Sequence, residues 1–482
     1  MADTQRNDAK SIEAIEKWVD AHWSEFLADL ESLVSIDSVE DKGSAAPGKP
    51  WGEGPWRALE KAMQIAEHLG FRATNLEGAI AYADIEGASS KQIAVIGHTD
   101  VVPAGPGWDF EPFALTRKGE YLVGRGTIDD KAPLLCAMYA MAYCAASCDD
   151  APRYTLRAIL GANEETGMGD LDVYHKHCDD PAFLFTPDSN WPLIYGEKGM
   201  WQARLESACI EDGNIVEWEG GTVPNAVPGL ARALVRVPGD FDESSLASVE
   251  GISVKLRDGN ASGERMLYIE VHGKSAHASL PEGGVSAINM LAHYVLDNSL
   301  AAASERPFLE LIAQISDSWR GDTVGLATSD ESFGSLTMVA GVAELRGGRF
   351  TQTLDIRFPT STTAEALEST LAELAGRFGA GLQVTNCMKP FLMNPDGPEI
   401  EALMSAYKEV TGDEHEPFTI GGGTYARHFS KAVSFGMEKS WQAEEPWVGG
   451  MHGPNEAVRE SDMKEAVKVY IRAIQNLLEL DL

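Results

Sequence analysis

With 482 residues, 44% of them hydrophobic and only 8% aromatic, the chain holds material for two ordinary globular cores rather than one. Its 74 acidic against 39 basic residues give a formal charge of -35, which excludes an electrostatic grip on nucleic acid or on an anionic membrane surface and reads as solubility or salt tolerance. No run approaches the roughly 20 apolar residues of a membrane span, and the opening MADTQRNDAKSIEAIEKW lacks the basic-then-apolar pattern of a secretion signal, so a cytoplasmic location is expected.

Apolar residues recur with helical spacing over residues 12–35 and 57–69, and Gly70 stands where a helix C-terminal cap falls. The intervening SVEDKGSAAPGKPWGEGP reads as a loop. Short apolar runs at 92–96, 154–160 and 182–185 predict strands, with helical patterns over 132–145 and 171–177 between them. This alternation predicts an α/β domain, a mostly parallel sheet with helices on both faces, where ligands collect beyond the carboxyl ends of strands. His98, Glu164 and Asp188 each follow directly on one of these runs. From about Tyr195 the texture changes to alternating segments such as MWQARLESA, ARALVRV, MLYIEVHG and FTQTLDIRF, with helical stretches at 285–300 and 363–378. Helices at 399–410 and 461–480 then resume the first texture. The expected organisation is a discontinuous catalytic domain, 1–194 with 390–482, interrupted by an α+β insertion over 195–389. The six cysteines (Cys136, Cys144, Cys148, Cys178, Cys209, Cys387) lack CxxC spacing and are expected as reduced, mostly buried thiols.

Several residues suggest chemistry. His98 and Asp100 are two apart at a strand end, so their side chains share one side of an extended segment; the pair suits a metal-bound imidazole with an outer-shell partner, or a plain turn with an Asp cap. Asp129 follows Gly124-Arg125-Gly126 and precedes a helix with Pro133 in its first turn, which fits an N-cap or a carboxylate bridging two cations. Glu164-Glu165 places two acids side by side, costly unless a cation neutralises one. Asp188 ends another strand, and His452 sits in the Gly-rich GGMHGPNE. Two imidazoles and several carboxylates suffice for a two-metal hydrolytic site with one carboxylate left as a base. Gly421-Gly422-Gly423-Thr424-Tyr425 lacks the Lys-Ser/Thr of a phosphate loop. His175, His177, His293, His415 and His428 fit no ligand motif and read as structural.

The segments GHTDVVPAG, GRGTIDDKAP, ANEETGMGDL, FTPDSNWPLI, GKSAHASLPEGGVSAI, IGGGTYAR and the late histidine loop, in this order, resemble the M20 family of di-zinc metallopeptidases, most closely its PepV-type dipeptidases. The resemblance implies two Zn²⁺ per chain, with Mn²⁺ or Co²⁺ as alternatives that mixed N and O donors accept. It makes Asp129 the bridging ligand, His98 and Asp188 the other ligands of one zinc, and Glu165 and His452 those of the second. Asp100 would orient His98, and Glu164 would be the general base. The peptide bond after the bridging aspartate is commonly cis in the family. His277 would stabilise the oxyanion from a lid, Asn225 and Arg357 would contact substrate, and Thr424 and Arg427 would belong to a substrate-binding loop. The implied activity is hydrolysis of dipeptides, acting on small peptides as a monomer. Other reactions on the same scaffold, such as N-acyl amino acid deacylation, desuccinylation or carboxypeptidase action, are the alternatives, followed by an inactive peptide-binding member. One departure is Ala132, where relatives usually carry glycine.

Overall fold

The computed structural model of the protein describes residues 11–257 and 264–482. Residues 1–10, on which part of the expectation about location rests, lie outside them. Among the described residues no helix is long and apolar enough to cross a membrane. They divide into two compact units, one holding the chain up to Tyr195 with Leu392–Phe418 and Gly423–Leu482, the other Gly196–Phe391 with Thr419–Gly422.

The first unit is an α/β structure. Its sheet runs Arg72–Leu76, Ile80–Ile85, Tyr154–Gly161, Ser89–His98, Phe183–Thr186, Ala432–Ser434 and on to Ile194–Glu197. The pairs among Tyr154–Gly161, Ser89–His98, Phe183–Thr186 and Ala432–Ser434 are parallel, and antiparallel strands extend the sheet on either side. Every residue of Tyr154–Gly161 and Phe183–Thr186 is buried, as cover on both faces requires. Leu156, Ala158 and Leu160 join the core made with helices Ile12–Val34, Glu53–His68, Lys131–Ala146, Pro398–Thr411 and Glu460–Glu479. On the opposite face Arg157 reaches Tyr174 of helix Gly169–His177, and Gly161 lies against Tyr425. The parallel sheet and its helices agree with the expected fold. The hairpin Arg72–Leu76 and Ile80–Ile85 is an addition, because its first strand, RATNL, offers no apolar run.

The second unit is an eight-stranded antiparallel sheet ordered Ile252–Arg257, Arg265–His272, Leu230–Val237, Ile215–Gly220, Thr337–Arg346, Arg349–Phe358, Gly199–Glu206 and Gly381–Met388. Leu230–Val237 alternates strictly between buried and half-buried positions, the signature of a strand with one covered face. Val235, Ile269 and Leu354 pack there with Leu291, Ile312 and Leu371 of helices Ala287–Asp297, Arg306–Ser316 and Ala364–Arg377. Ser286 and Thr363 cap two of these helices through their hydroxyls. All six cysteines are free. Cys136 and Cys144 are buried as expected, but Cys209 and Cys387 are exposed, the latter on the open face of the edge strand Gly381–Met388.

Candidate metal centre

The parallel strands deliver the site residues at their carboxyl ends. Ser89–His98 terminates on His98, Tyr154–Gly161 leads to the Glu164-Glu165 pair, and Phe183–Thr186 leads to Asp188. Gly97 is required beside His98: a Cβ there would fall 2.3 Å from Asp130 Oδ2, the atom that accepts the His98 backbone N–H at 3.0 Å. Asp130 is therefore spent on fixing the strand end. It stands at the N-cap position of helix Lys131–Ala146 without capping it through its side chain. The Asp129–Asp130 peptide is cis, as the family resemblance implied. Lys131, fully buried, donates from Nζ to the carbonyls of Leu33 and Ile36, and Ala132 fits the first helical turn.

Asp129 stands between two imidazoles. Its Oδ1 lies 2.9 Å from His98 Nε2 and its Oδ2 lies 2.9 Å from His452 Nε2. Asp188 Oδ2 approaches the same His98 nitrogen at 3.7 Å, and Glu165 Oε2 lies 3.1 Å from the His452 nitrogen. Donor atoms of His98, Asp129 and Glu165 fall within 4.8 Å of one another, and so do those of His98, Glu164 and Asp188. His98 Nδ1 lies 3.0 Å from the Asp100 carbonyl oxygen and 3.4 Å from its carboxylate, which leaves Nε2 aimed at the acids. The Asp100 carboxylate accepts the backbone N–H groups of Glu164 and Glu165, at 3.2 Å each. Asp100 thus holds both the histidine and the glutamate pair, a second task its sequence position did not suggest.

The electrostatics of this cluster call for cations. Four carboxylates face two imidazoles, so even two imidazolium ions would leave net negative charge in a buried place, where unpaired charge is costly. Burial, then the neighbouring acids, push Glu164 well above the usual carboxylate range; Asp188 and Glu165 also rise, burial first. Hydrogen bonds to Asp129 and Glu165 raise His452 to about 10. For His98 burial acts the other way, but Asp100, Asp129 and Asp188 outweigh it and raise the imidazole well above its ordinary value. Asp129 is lowered, since both imidazoles overcome its burial. These shifts mark a site short of positive charge, and His98 Nε2, buried and without a hydrogen bond of normal geometry, faces acids on the side a metal would take. The chemistry of the donor set, imidazole nitrogens among carboxylate oxygens, fits divalent metal.

The other sequence candidates are engaged elsewhere. Thr424 caps the single turn Tyr425–His428, its Oγ1 accepting from Ala426 N and lying 3.0 Å from Ser434 Oγ; Arg427 sits within that turn. Tyr425 donates to Asp170, which also accepts the N–H groups of Ala162 and Asn163 and so steadies the approach to Glu164. In the second unit Asn225 pairs through its carbonyl with Ala278 N, and His277 is exposed beside it. Ser279 N donates to His277 Nδ1 at 3.2 Å and Ser279 Oγ lies 2.7 Å from the same atom, which assigns the imidazole proton to Nε2. Partial burial and Arg357 lower its pKa, keeping the ring neutral. Arg357 is buried and paired: Nε and Nη2 donate to Asp355, and Nη1 to the Gly421 carbonyl. His175, His177, His293 and His415 lie beside surface acids.

An α/β unit with an acid-rich, imidazole-flanked donor set beyond the ends of its parallel strands describes an enzyme that works with divalent metal. Residues 94–476 match the profile of peptidase family M20/M25/M40. A beta-Ala-Xaa dipeptidase of Lactobacillus delbrueckii subsp. lactis is 31% identical over 462 residues, 94% of this chain and 95% of its own. The putative dipeptidase YtjP of Bacillus subtilis (strain 168) is 29% identical over 468 residues, 94% of this chain and 97% of its own. Among solved structures, human carnosine dipeptidase 1 superposes with a TM-score of 0.59 at 18% identity, covering 97% of this chain and 99% of its own. The di-peptidase Dug1p of Saccharomyces cerevisiae does so with 0.61 at 15%, covering 98% and 100%. At such identities these two likenesses speak to fold alone. The chain belongs to peptidase family M20/M25/M40 and is a metallopeptidase.

Proposed function

We propose that the protein is a dipeptidase whose catalytic domain, residues 1–194 with 390–482, holds two divalent ions, and whose inserted domain, 195–389, acts as a lid. One observation carries the reading: the Asp129 carboxylate presents one oxygen to each of two imidazoles at 2.9 Å. His98 and Asp188 complete one ligand set, Glu165 and His452 the other. Relatives of near-equal length named as dipeptidases support the substrate class.

Two Zn²⁺ ions, or Mn²⁺ or Co²⁺ in their place, would lower the pKa of a shared water and polarise the scissile carbonyl. Glu164 is the general base. Unlike Glu165, it has no imidazole partner among the described residues and still stands in the donor group with His98 and Asp188. Its carboxylate takes a proton from the attacking water and returns it to the leaving amine. Asp100 keeps the glutamate backbone and the His98 ring in place. His277, neutral with its proton on Nε2, donates to the developing oxyanion. Asn225, Arg357, Thr424 and Arg427 contact the substrate, Arg357 through the two N–H groups that Asp355 and Gly421 leave over. Hydrolysis rates for a panel of dipeptides, tripeptides and N-acyl amino acids, after metal reconstitution, test the reading. Dipeptides should have the highest kcat/KM; higher values for N-acyl amino acids or tripeptides would transfer the assignment to another M20 reaction.

A further inference from the structure

The loops carrying His98, Asp129 and His452 come from distant parts of the chain, and one buried ion pair touches all three. Glu456, four residues beyond His452, is fully buried. Its Oε1 accepts backbone N–H groups from Gly126 at 3.0 Å, Ile128 at 2.8 Å and Asp129 at 3.3 Å. Its Oε2 pairs with Arg125 Nη1, and Arg125, also buried, turns Nη2 towards the carbonyls of Pro103 and Ala104, just past His98 and Asp100. The guanidinium carbon lies 5.3 Å from the centre of the Trp108 ring. Next to Glu456, Asn455 accepts from Asp109 N and donates to its carboxylate, tying the same two loops a second time.

A buried carboxylate whose single oxygen gathers three amides of one loop is an anion placed to dictate backbone direction, and one of those amides belongs to Asp129 itself. The segment 126–129 would otherwise carry these donors without partners, because the strand pairing of Tyr121–Val123 with Ala457–Arg459 ends before it. The backbone of Glu456 extends the link, its carbonyl accepting from Gly124 N at 3.0 Å.

We infer that Glu456, with Arg125, is a positioning residue that fixes the Asp129 carboxylate relative to His452, and so sets how tightly the metal pair is held. The inference rests on Asp129 and His452 being metal ligands. In Glu456→Gln the side-chain amide can accept some of these N–H groups but carries no charge to hold three, and it leaves Arg125 buried without its counter-ion. The test therefore uses Glu456→Gln and the double variant Arg125→Met/Glu456→Gln, which removes the stranded cation. Competitive Zn²⁺ titration of the full chain, thermal unfolding of the metal-free protein and hydrogen exchange at the Ile128 and Asp129 amides are measured together. The double variant should bind Zn²⁺ at least tenfold more weakly and exchange both amides at least tenfold faster, while its metal-free unfolding temperature stays near that of the wild type. In the wild type both amides should be protected without metal. Rapid exchange there overturns the proposal, and so does a folded double variant of unchanged Zn²⁺ affinity. Wild-type protein that binds no Zn²⁺ would instead overturn the ligand reading on which the proposal stands.

Discussion

In the first unit Asp129, Glu164, Glu165 and Asp188 converge on His98 and His452 with more negative charge than the imidazoles can match, whereas in the second unit the buried Arg357 has Asp355 and the Gly421 carbonyl as partners and His277 has Ser279. One region is electrostatically incomplete without cations, and the other is complete by itself. Metal removal should therefore alter the stability of the first region, while substitutions in the second should alter rates and selectivity and leave metal content alone.

The largest effect expected is on chelation. Stripping divalent ions should abolish turnover and lower the unfolding temperature, and Zn²⁺, Mn²⁺ or Co²⁺ should restore both, because an ion bound only by the folded state stabilises it by mass action. Calorimetry beside activity checks this, and full activity in stripped protein would remove the metal from the mechanism.

Within the glutamate pair the roles should separate. Glu164→Gln should keep its metal content and lower kcat by about 10² to 10⁴, the range for a lost general acid-base. Glu165→Gln, which loses the partner of His452, should lose metal as well. Metal analysis with single-turnover rates distinguishes them, and the reverse pattern would exchange the assignments. His277→Ala comes next: kcat should fall by about 10² to 10³ with metal occupancy intact, as for one lost oxyanion donor. An unchanged kcat would take His277 out of the chemistry.

Much of this was legible in the residues, and the reason is physical. Strands buried on both faces are mostly apolar, so Tyr154–Gly161 and Phe183–Thr186 announce themselves even though the first carries Arg157, which Asp84 pairs, and the acids that follow them mark the carboxyl ends. The cost of adjacent acids made Glu164-Glu165 conspicuous. What stayed hidden depends on tertiary approach. Neither the task of Asp130 on the His98 backbone nor the Glu456 link to the Asp129 loop has a local pattern, since their partners lie 32 and 327 residues away. The resemblance implied a substrate contact at Arg357 without indicating that Asp355, two residues earlier on the same strand, pairs with it.

That pairing reshapes the last and smallest prediction, which concerns the substrate's C-terminus. An unpaired buried guanidinium would discriminate steeply, because leaving it without a carboxylate costs several kcal/mol. Asp355 neutralises the charge, and only two N–H groups of Arg357 stay available, so the expected discrimination shrinks to that of hydrogen bonds to a charged group, about 1.5 to 3 kcal/mol. Blocking a dipeptide's C-terminus as an amide should thus lower kcat/KM by roughly ten- to a hundredfold. Arg357→Ala alone would strand Asp355 in the interior, so the cleaner variant is Asp355→Asn/Arg357→Met, in which the free-acid and amide substrates should react alike. Asp355→Asn alone should act in the opposite sense: it restores positive charge to the guanidinium's surroundings and should widen the preference for the free acid. Should that variant narrow the preference instead, Arg357 serves the architecture of its own sheet and some other group reads the carboxylate.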